Sequence, residues 1–583
     1  LQVVSVYTPK KDSSGSTADP TWDIYELPPQ DPSLLNKYFL VEGEELLQLF
    51  HFCPKCGHKI PEGNTVRLLE SGTAPVVQYL CKVCSLRGLP VKRWEGQKRA
   101  VDHSSEKTFR GNLVAAVAAI TTGLRYVDLQ RWAKQLGLAL FSKTTFWKYF
   151  EWTMAAVDKV YAAHQAKVVE KVRGFNEDGQ GLHLAADGSY DSRGYSALIG
   201  KVVLCDLRTK LVLHTEVLHR SETGNVSGRM EVEGTRRLLR WVLQQGMPVR
   251  SLTTDRSRTI GALLAELREE LGPISHYYDG WHMVKWVGNR LREESKASGC
   301  APIAVWTEKV KTHLWKSIEV GAGNGDMVRH VFNTCLMHVK GVHQWSPTPE
   351  TGPYTSCGHL PVGGPRPETL SEGTKAFTRF RDIVLNRRLQ EDLVKASPYG
   401  GTSVCEAKNA LDRLYCRKEI FYPITTYPFY AKMATMHFNT LRLSELAGER
   451  KVERVIEVKR KYLSRTSRMT FKTSVHQVWR DDVLDAVLRW SMESLQRDRN
   501  AGQMDETSIR GDVAGAMEAE DIYDQLNSEV LQVEDLWQDL ANGLELDSLE
   551  GPEYSDVSAV LQIAYAMVND GSRGPESGDI SLR

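Results

Sequence analysis

The stretch that decides the fold is Leu182-His-Leu-Ala-Ala-Asp-Gly-Ser-Tyr-Asp191, an apolar run that ends on acidic and turn-forming residues. Two more strand-like runs follow, Gly200-Lys-Val-Val-Leu-Cys205 and Leu211-Val-Leu-His-Thr-Glu-Val-Leu218, with turn signals between them. A helical pattern over about 231–245 comes next, then a strand through Val249–Thr253, a helix over Ile260–Leu271 and a strand-like Ile274–Tyr278. Strand–strand–strand–helix–strand–helix–strand predicts a mixed α/β layer over residues 176–290.

Upstream of this layer, residues 101–175 read as helical. Phe109, Leu113, Val117 and Ile120 recur at helix spacing, Thr122-Gly123 interrupts, and Val127, Leu129, Trp132 and Leu136 resume. Gly137 stops that helix and Ser142 caps the next, which carries Phe146, Trp147, Phe150 and Met154. Three helical units with a tight turn resemble a helix-turn-helix. In that arrangement Arg125, Arg131, Lys134, Lys143 and Lys148 serve DNA phosphates and the aromatic residues make core. A plain helical packing domain is the alternative. Residues 1–45 form a loop-rich leader and 46–100 a cysteine-bearing module. Downstream lie a mostly helical insertion (291–400), a segment with a final core helix (401–450), a helical extension (451–500) and a tail (501–583).

At 583 residues the chain has room for three or four domains of roughly 100–200 residues each. Its 41% hydrophobic and 25% charged content excludes a mainly disordered or collagenous protein. No apolar run approaches the roughly 20 residues of a bilayer crossing, so no membrane partner is expected. A chain opening on Leu1 rather than Met is expected to be a fragment or a processed form, and it shows no secretory h-region. The net charge of +1 conceals a division. Residues 501–583 hold 3 basic and 19 acidic side chains, which leaves 71 basic and 54 acidic ones in residues 1–500. A basic body with an acidic tail suits a polyanionic ligand, and equally a solvated surface with a disordered tail.

Ten cysteines without a signal peptide point to metal binding in a reducing compartment. Cys53-Pro-Lys-Cys56 and Cys81-Lys-Val-Cys84 each place two thiolates on one turn, the pattern of a tetrahedral Zn²⁺ ribbon. Gly57 suits the first turn, and nearby Lys55, Lys59, Lys82, Arg87, Lys92 and Arg93 make DNA a plausible partner. A second zinc site is expected in the insertion from Cys335, His338, Cys357 and His359, with His343 as a further donor. Two unrelated clusters are the bland alternative.

Hard-oxygen chemistry rests on three acids. Asp187 and Asp255 end predicted strands, and Glu406 opens the helical segment Cys405-Glu-Ala-Lys-Asn-Ala-Leu411. Carboxylates at adjacent strand ends, joined by one from a helix across the sheet, can hold two Mg²⁺ for phosphodiester chemistry. Each taken alone could be a turn or helix cap. Asp191 competes for the first position, and Glu368, Glu372 and Glu419 for the last. Lys408, Arg413, Arg417 and Lys418 are expected to reach DNA from the exposed side of the Glu406 helix.

Asp187, Asp255, the DxxH motif Asp279-Gly-Trp-His282, a long helical interruption and the late Glu406 follow one another downstream of a zinc ribbon. This order resembles the DDE transposases of the Mutator-like group. The resemblance covers about residues 100–450. It implies an RNase H-like mixed sheet with an all-α insertion, and Asp187, Asp255 and Glu406 as ligands of Mg²⁺ or Mn²⁺. It also implies cutting of DNA by an activated water and joining of the 3′-OH to target DNA. Asp279 and His282 match the family's DxxH pair. Transposon ends and target DNA would be the partners, a homo-oligomer the working form and, in a eukaryote, the nucleus the location. A domesticated, non-catalytic DNA-binding protein and a nuclease that cuts without joining are the competing expectations.

Overall fold

The computed structural model describes residues 30–84, 91–100, 108–176, 179, 181–192, 197–358, 367–418, 420–459 and 466–500. Arg87, His359, Glu419, the leader before residue 30 and the acidic tail after 500 lie outside them. The chain divides into two compact units, one up to Leu69 and from Val76 to Trp94, the other Glu70–Pro75 and from Glu95 onward.

The first unit contains α1 (Gly43–Gln48) and most of a three-stranded sheet, β1 (Val66–Ser71), β2 (Ala74–Leu80) and β3 (Val91–Glu95), in that order. Leu46, Phe50, Ile60, Val77 and Tyr79 form a small core that also takes in Cys53 and Cys81.

The second unit begins with α2 (Arg110–Thr122), α3 (Tyr126–Leu136) and α4 (Lys143–Phe175). Ser142 caps α4, its hydroxyl accepting from Thr145 N at 3.3 Å. Phe146, Trp147, Tyr149 and Phe150 are buried together with Leu113, Val117 and Ile120, so the aromatic residues do make core. Trp132 departs from the expectation: it is 54% exposed on α3.

Beyond α4 come β4 (Leu182–Tyr190), β5 (Ile199–Asp206), β6 (Val212–His219), α5 (Met230–Gln244), β7 (Val249–Thr254), α6 (Arg258–Glu266), α7 (Arg268–Leu271) and β8 (Ser275–Tyr278). The expected mixed sheet forms, in the order β6-β5-β4-β7-β8. β4 pairs antiparallel with β5 and parallel with β7, and β7 pairs parallel with β8. Period-2 alternation sorts the side chains of its central strands. Leu184, Ala186, Val202 and Leu204 pack on one face with Leu238 and Leu239 of α5. Ala185, Val203 and Cys205 pack on the other with Val404 and Cys405. Each fully buried leucine here contributes about 1.5–3 kcal/mol.

The insertion follows as α8 (Gly280–Ser295), α9 (Ile303–Gly321), α10 (Gly325–Asn333), α11 (Cys335–His338), α12 (Lys375–Val384) and α13 (Arg387–Leu393), around its own apolar core. Then α14 (Ser403–Asp412) crosses the sheet face, and α15 (Tyr427–Leu446) runs beside it. The segment read as a helical extension opens instead with an antiparallel pair, β9 (Val452–Lys459) and β10 (Thr466–Lys472), before α16 (Val478–Asn500). Val452-Glu-Arg-Val-Ile-Glu-Val-Lys459 carries four β-branched residues in eight, a strand composition that outweighs helix formation.

Candidate active site and metal centres

Register explains why the first two acids meet. Ala185 of β4 pairs with Thr253 of β7 in parallel, and each strand reaches an aspartate two residues later, Asp187 and Asp255. Asp187 shares the face of Ala185 and Val203, the face that α14 covers. Its Oδ2 accepts from Asn409 Nδ2 of α14 at 2.8 Å, and Asn409 Oδ1 accepts from Ser189 Oγ at 3.1 Å. Asp191 is occupied elsewhere, accepting the amides of Leu198 and Ile199 at 3.2 Å in the turn before β5.

Glu406 lies in the first turn of α14. His282 Nε2, on α8, sits 3.1 Å from Asp255 Oδ1 and 3.4 Å from Glu406 Oε1, between the two carboxylates. Of the other glutamates, Glu368 is exposed in the insertion and Glu372 pairs with Lys340.

Asp279 caps α8 and is almost fully buried. Its Oδ1 accepts from Trp281 N at 2.8 Å, and its Oδ2 accepts from Thr402 N at 3.0 Å and Thr402 Oγ1 at 2.8 Å. The same hydroxyl lies 3.3 Å from Asp255 Oδ1. Asp279 therefore ties the end of β8 to the loop that launches α14, four residues before Glu406. Gly401 is required here, because a Cβ on it would stand 2.4 Å from Asp279 Oδ1. Next to Asp255, Arg256 donates to Asp392 Oδ2 at 2.7 Å and fastens this strand end to α13.

A fourth acid escapes the sequence reading. Glu231, in the first turn of α5, lies over Gly188, where an added Cβ would be 3.0 Å from its Cγ. It lines one open cleft of about 510 Å³ with Asp187, Tyr190, Asp255, His282 and Trp286. Burial pushes the Asp187 carboxyl well above its ordinary range, and the charges of Asp255, Glu406 and Glu231 add to it. Burial also raises Asp255, against the lowering charge of His282 and with help from Asp279 and Glu406, and it raises Glu231, where Asp255 adds to it. Burial opposes the charge on His282, but Glu406, Asp255 and Asp279 outweigh it and hold its proton more tightly than free imidazole does.

Lys408 does not reach outward. It is buried under α14, paired with Asp412 at 2.9 Å, and Lys201 of β5 closes on the same carboxylate. Four residues along a helix return to nearly the same side, so Lys408 and Asp412 share the sheet-facing side. They anchor α14 rather than contact a ligand.

The four cysteines of the two CxxC turns gather with their sulfurs within 4.8 Å of one another. Cys53 Sγ and Cys84 Sγ are 3.9 Å apart, Cys56 Sγ and Cys81 Sγ 3.5 Å. The first turn closes through Gly57 N donating to Cys53 O and Cys53 N donating to His58 O, both at 2.8 Å. Although burial opposes it, the Lys55 and Cys56 amides draw the Cys53 thiol down to about 6, while Cys84 is pushed up to about 12, first by its contact with Cys56. Full ionisation of four such neighbours needs a cation, and this donor set fits zinc.

In the insertion, His338, His343 and Cys357 come together, their ligand atoms within 4.8 Å of one another. Cys335 does not join them. It is buried in the insertion core, with its thiol raised by that burial.

Residues 37–227 match the family model described as Mutator-like transposase. This span covers about a third of the chain and takes in the cysteine module, the first helices and Asp187, ending before Asp255, Asp279, His282 and Glu406. No curated protein and no solved structure matches the chain.

Proposed function

We propose, from the match of residues 37–227 to the Mutator-like transposase model, a DNA transposase that cleaves and joins strands at Asp187, Asp255 and Glu406. The observation that carries this reading is the convergence of those acids, drawn from positions as far apart as 187 and 406, around His282. Sheet order β6-β5-β4-β7-β8, with an acid on the central strand, another at the end of its parallel neighbour and a third on a covering helix, supports an RNase H-like core.

The donor set fits Mg²⁺ or Mn²⁺. Its members are hard oxygens, and burial with mutual repulsion raises Asp187 and Asp255 in a way that a divalent cation relieves. Such ions, when bound, supply Lewis-acid activation of the attacking oxygen and stabilisation of the leaving one. Asn409 fixes one oxygen of Asp187, and Asp279 holds the start of α14 so that Glu406 faces the strand ends. His282, whose proton its acidic neighbours hold more tightly than free imidazole does, is placed to meet a phosphate oxygen of the scissile strand.

DNA is the substrate on this reading. Arg131, Lys134 and Lys148 are exposed on α3 and α4, and residues 1–500 carry the positive charge to hold a backbone. No helix among the described residues is long and apolar enough to cross a membrane. Processing of two DNA ends implies a homo-oligomer, and in a eukaryote a nuclear site of action. Incubating the protein with labelled DNA ends and Mg²⁺ or Mn²⁺ tests the proposal. Joined products support a transposase, hydrolysis alone a nuclease, and bare retention a domesticated DNA-binding protein.

A further inference from the structure

Between α11 and α12 the insertion makes an excursion that hydrophobic burial does not hold. Of residues 341–358 only Thr351 is buried, while the side chains of this segment are otherwise half-buried or exposed. Ordering so many residues opposes folding through lost backbone entropy, and few apolar contacts here offset it. Its far end is tied to α10 by one bond, Asn333 Nδ2 donating to Glu350 O at 3.0 Å, and local bonds shape the rest. Gln344 and Ser356 form an isolated antiparallel bridge, and Cys357 N donates to His343 O at 3.3 Å. Farther out, Gly352 N donates to Thr348 O at 2.8 Å.

At the base of this excursion stand three soft-to-borderline donors. His338 ends α11, whose Cys335 and Leu336 are packed in the insertion core. His343 and Cys357 face each other across the bridge, with His343 Nδ1 2.9 Å from Cys357 Sγ. The His338 and His343 rings lie 5.0 Å apart and nearly perpendicular, so both present nitrogens to the same small volume as the thiol. Two imidazoles and a thiolate match Zn²⁺, with a fourth tetrahedral position left for water or another donor.

We propose that His338, His343 and Cys357 bind a zinc ion that fastens the 341–358 excursion to the end of α11. The site is separate from the carboxylate cleft and from the four-cysteine module, and it does not depend on the transposase reading. The expected pair Cys335 and His338 is replaced by His338 and His343: helix α11 turns Cys335 into the core, and the bridge brings His343 back.

Metal content of the purified full-length chain tests this, measured as ions per chain by elemental analysis. Wild-type protein should carry one zinc more than either His343→Ala or Cys357→Ser. Cys53→Ser should lose a different ion, so that Cys53→Ser/Cys357→Ser loses both. Equal zinc content in wild-type, His343→Ala and Cys357→Ser protein would overturn the proposal. Should either variant misfold, cobalt loading of soluble Cys53→Ser protein gives a second reading. A tetrahedral cobalt spectrum with a single-thiolate charge-transfer band supports the site, and its absence overturns it.

Discussion

The carboxylate centre and the four-cysteine module are built on opposite principles. Cys53, Cys56, Cys81 and Cys84 come in two local pairs, and each turn forms its own half-site through bonds within a few residues. Asp187, Asp255 and Glu406 share no local pattern. They meet only because β4 and β7 pair in parallel and α14 lies across the sheet. The module depends on spacing, and its four sulfurs make a donor set that fits a zinc ion. The carboxylate centre depends on topology, and its strain is held by buried anchors such as Asp279 with Thr402 and Asp412 with Lys201 and Lys408.

The sharpest way to break this contrast is Asp255→Asn. It removes a ligand charge from a preformed site, so strand cleavage should fall by about 10³-fold or more, in line with the several kcal/mol an electrostatic metal site supplies. DNA retention in a gel-shift assay should be unchanged or tighter. Cleavage at the wild-type rate would make Asp255 no more than the residue that follows β7.

Cys53→Ser should act in the other way, on order rather than chemistry. Zinc content should drop, and limited proteolysis should open residues 46–95 while the α/β body stays resistant. Unchanged metal content would defeat the assignment of these sulfurs.

A smaller loss is expected from Glu231→Gln. Glu231 adds negative charge to the cleft but bridges none of the other acids, so cleavage should fall on the order of 10-fold to 100-fold with DNA retention intact. Wild-type turnover in this variant would remove Glu231 from the chemistry and leave it as packing over Gly188.

Acid should weaken the α/β body gradually. Burial holds His164, His214, His276 and His437 near about 4 in the folded chain. Below the ordinary value of about 6.5 the unfolded chain takes up protons that the folded one refuses, so stability present above that pH is lost as pH falls towards 4. The urea midpoint should therefore drop between pH 7 and pH 5, and His214→Gln should reduce the drop. A pH 7 to pH 5 drop of the same size in wild-type and His214→Gln protein would contradict the burial of the His214 ring, whatever the raised carboxyls of the cleft add in the opposite sense.

What was legible in the sequence follows the same contrast. The CxxC pairs, the strands β4 to β7 and the capping Ser142 are local signals, and each has a local cause. Asp187 does not close an apolar strand as its sequence suggests, since β4 runs on through Gly188 to Tyr190; what sets it apart from Asp191 is its register with β7 and the face that α14 covers. Glu231 was not legible, since only the docking of α5 over Gly188 brings it to the cleft. Lys408 and Cys335 were misplaced for one reason: helix spacing gives neighbours on a helix but not the side that faces the core. The β9–β10 pair was read as helix although Val452–Lys459 carries four β-branched residues in eight, a local strand signal that the helical reading passed over.

Anomalous diffraction from crystals soaked in Mn²⁺ reaches the central claim most directly. Two peaks about 3.5–4 Å apart, ligated by Asp187, Asp255 and Glu406, are the predicted result. Manganese bound elsewhere, with these three carboxylates empty at millimolar metal, would contradict it.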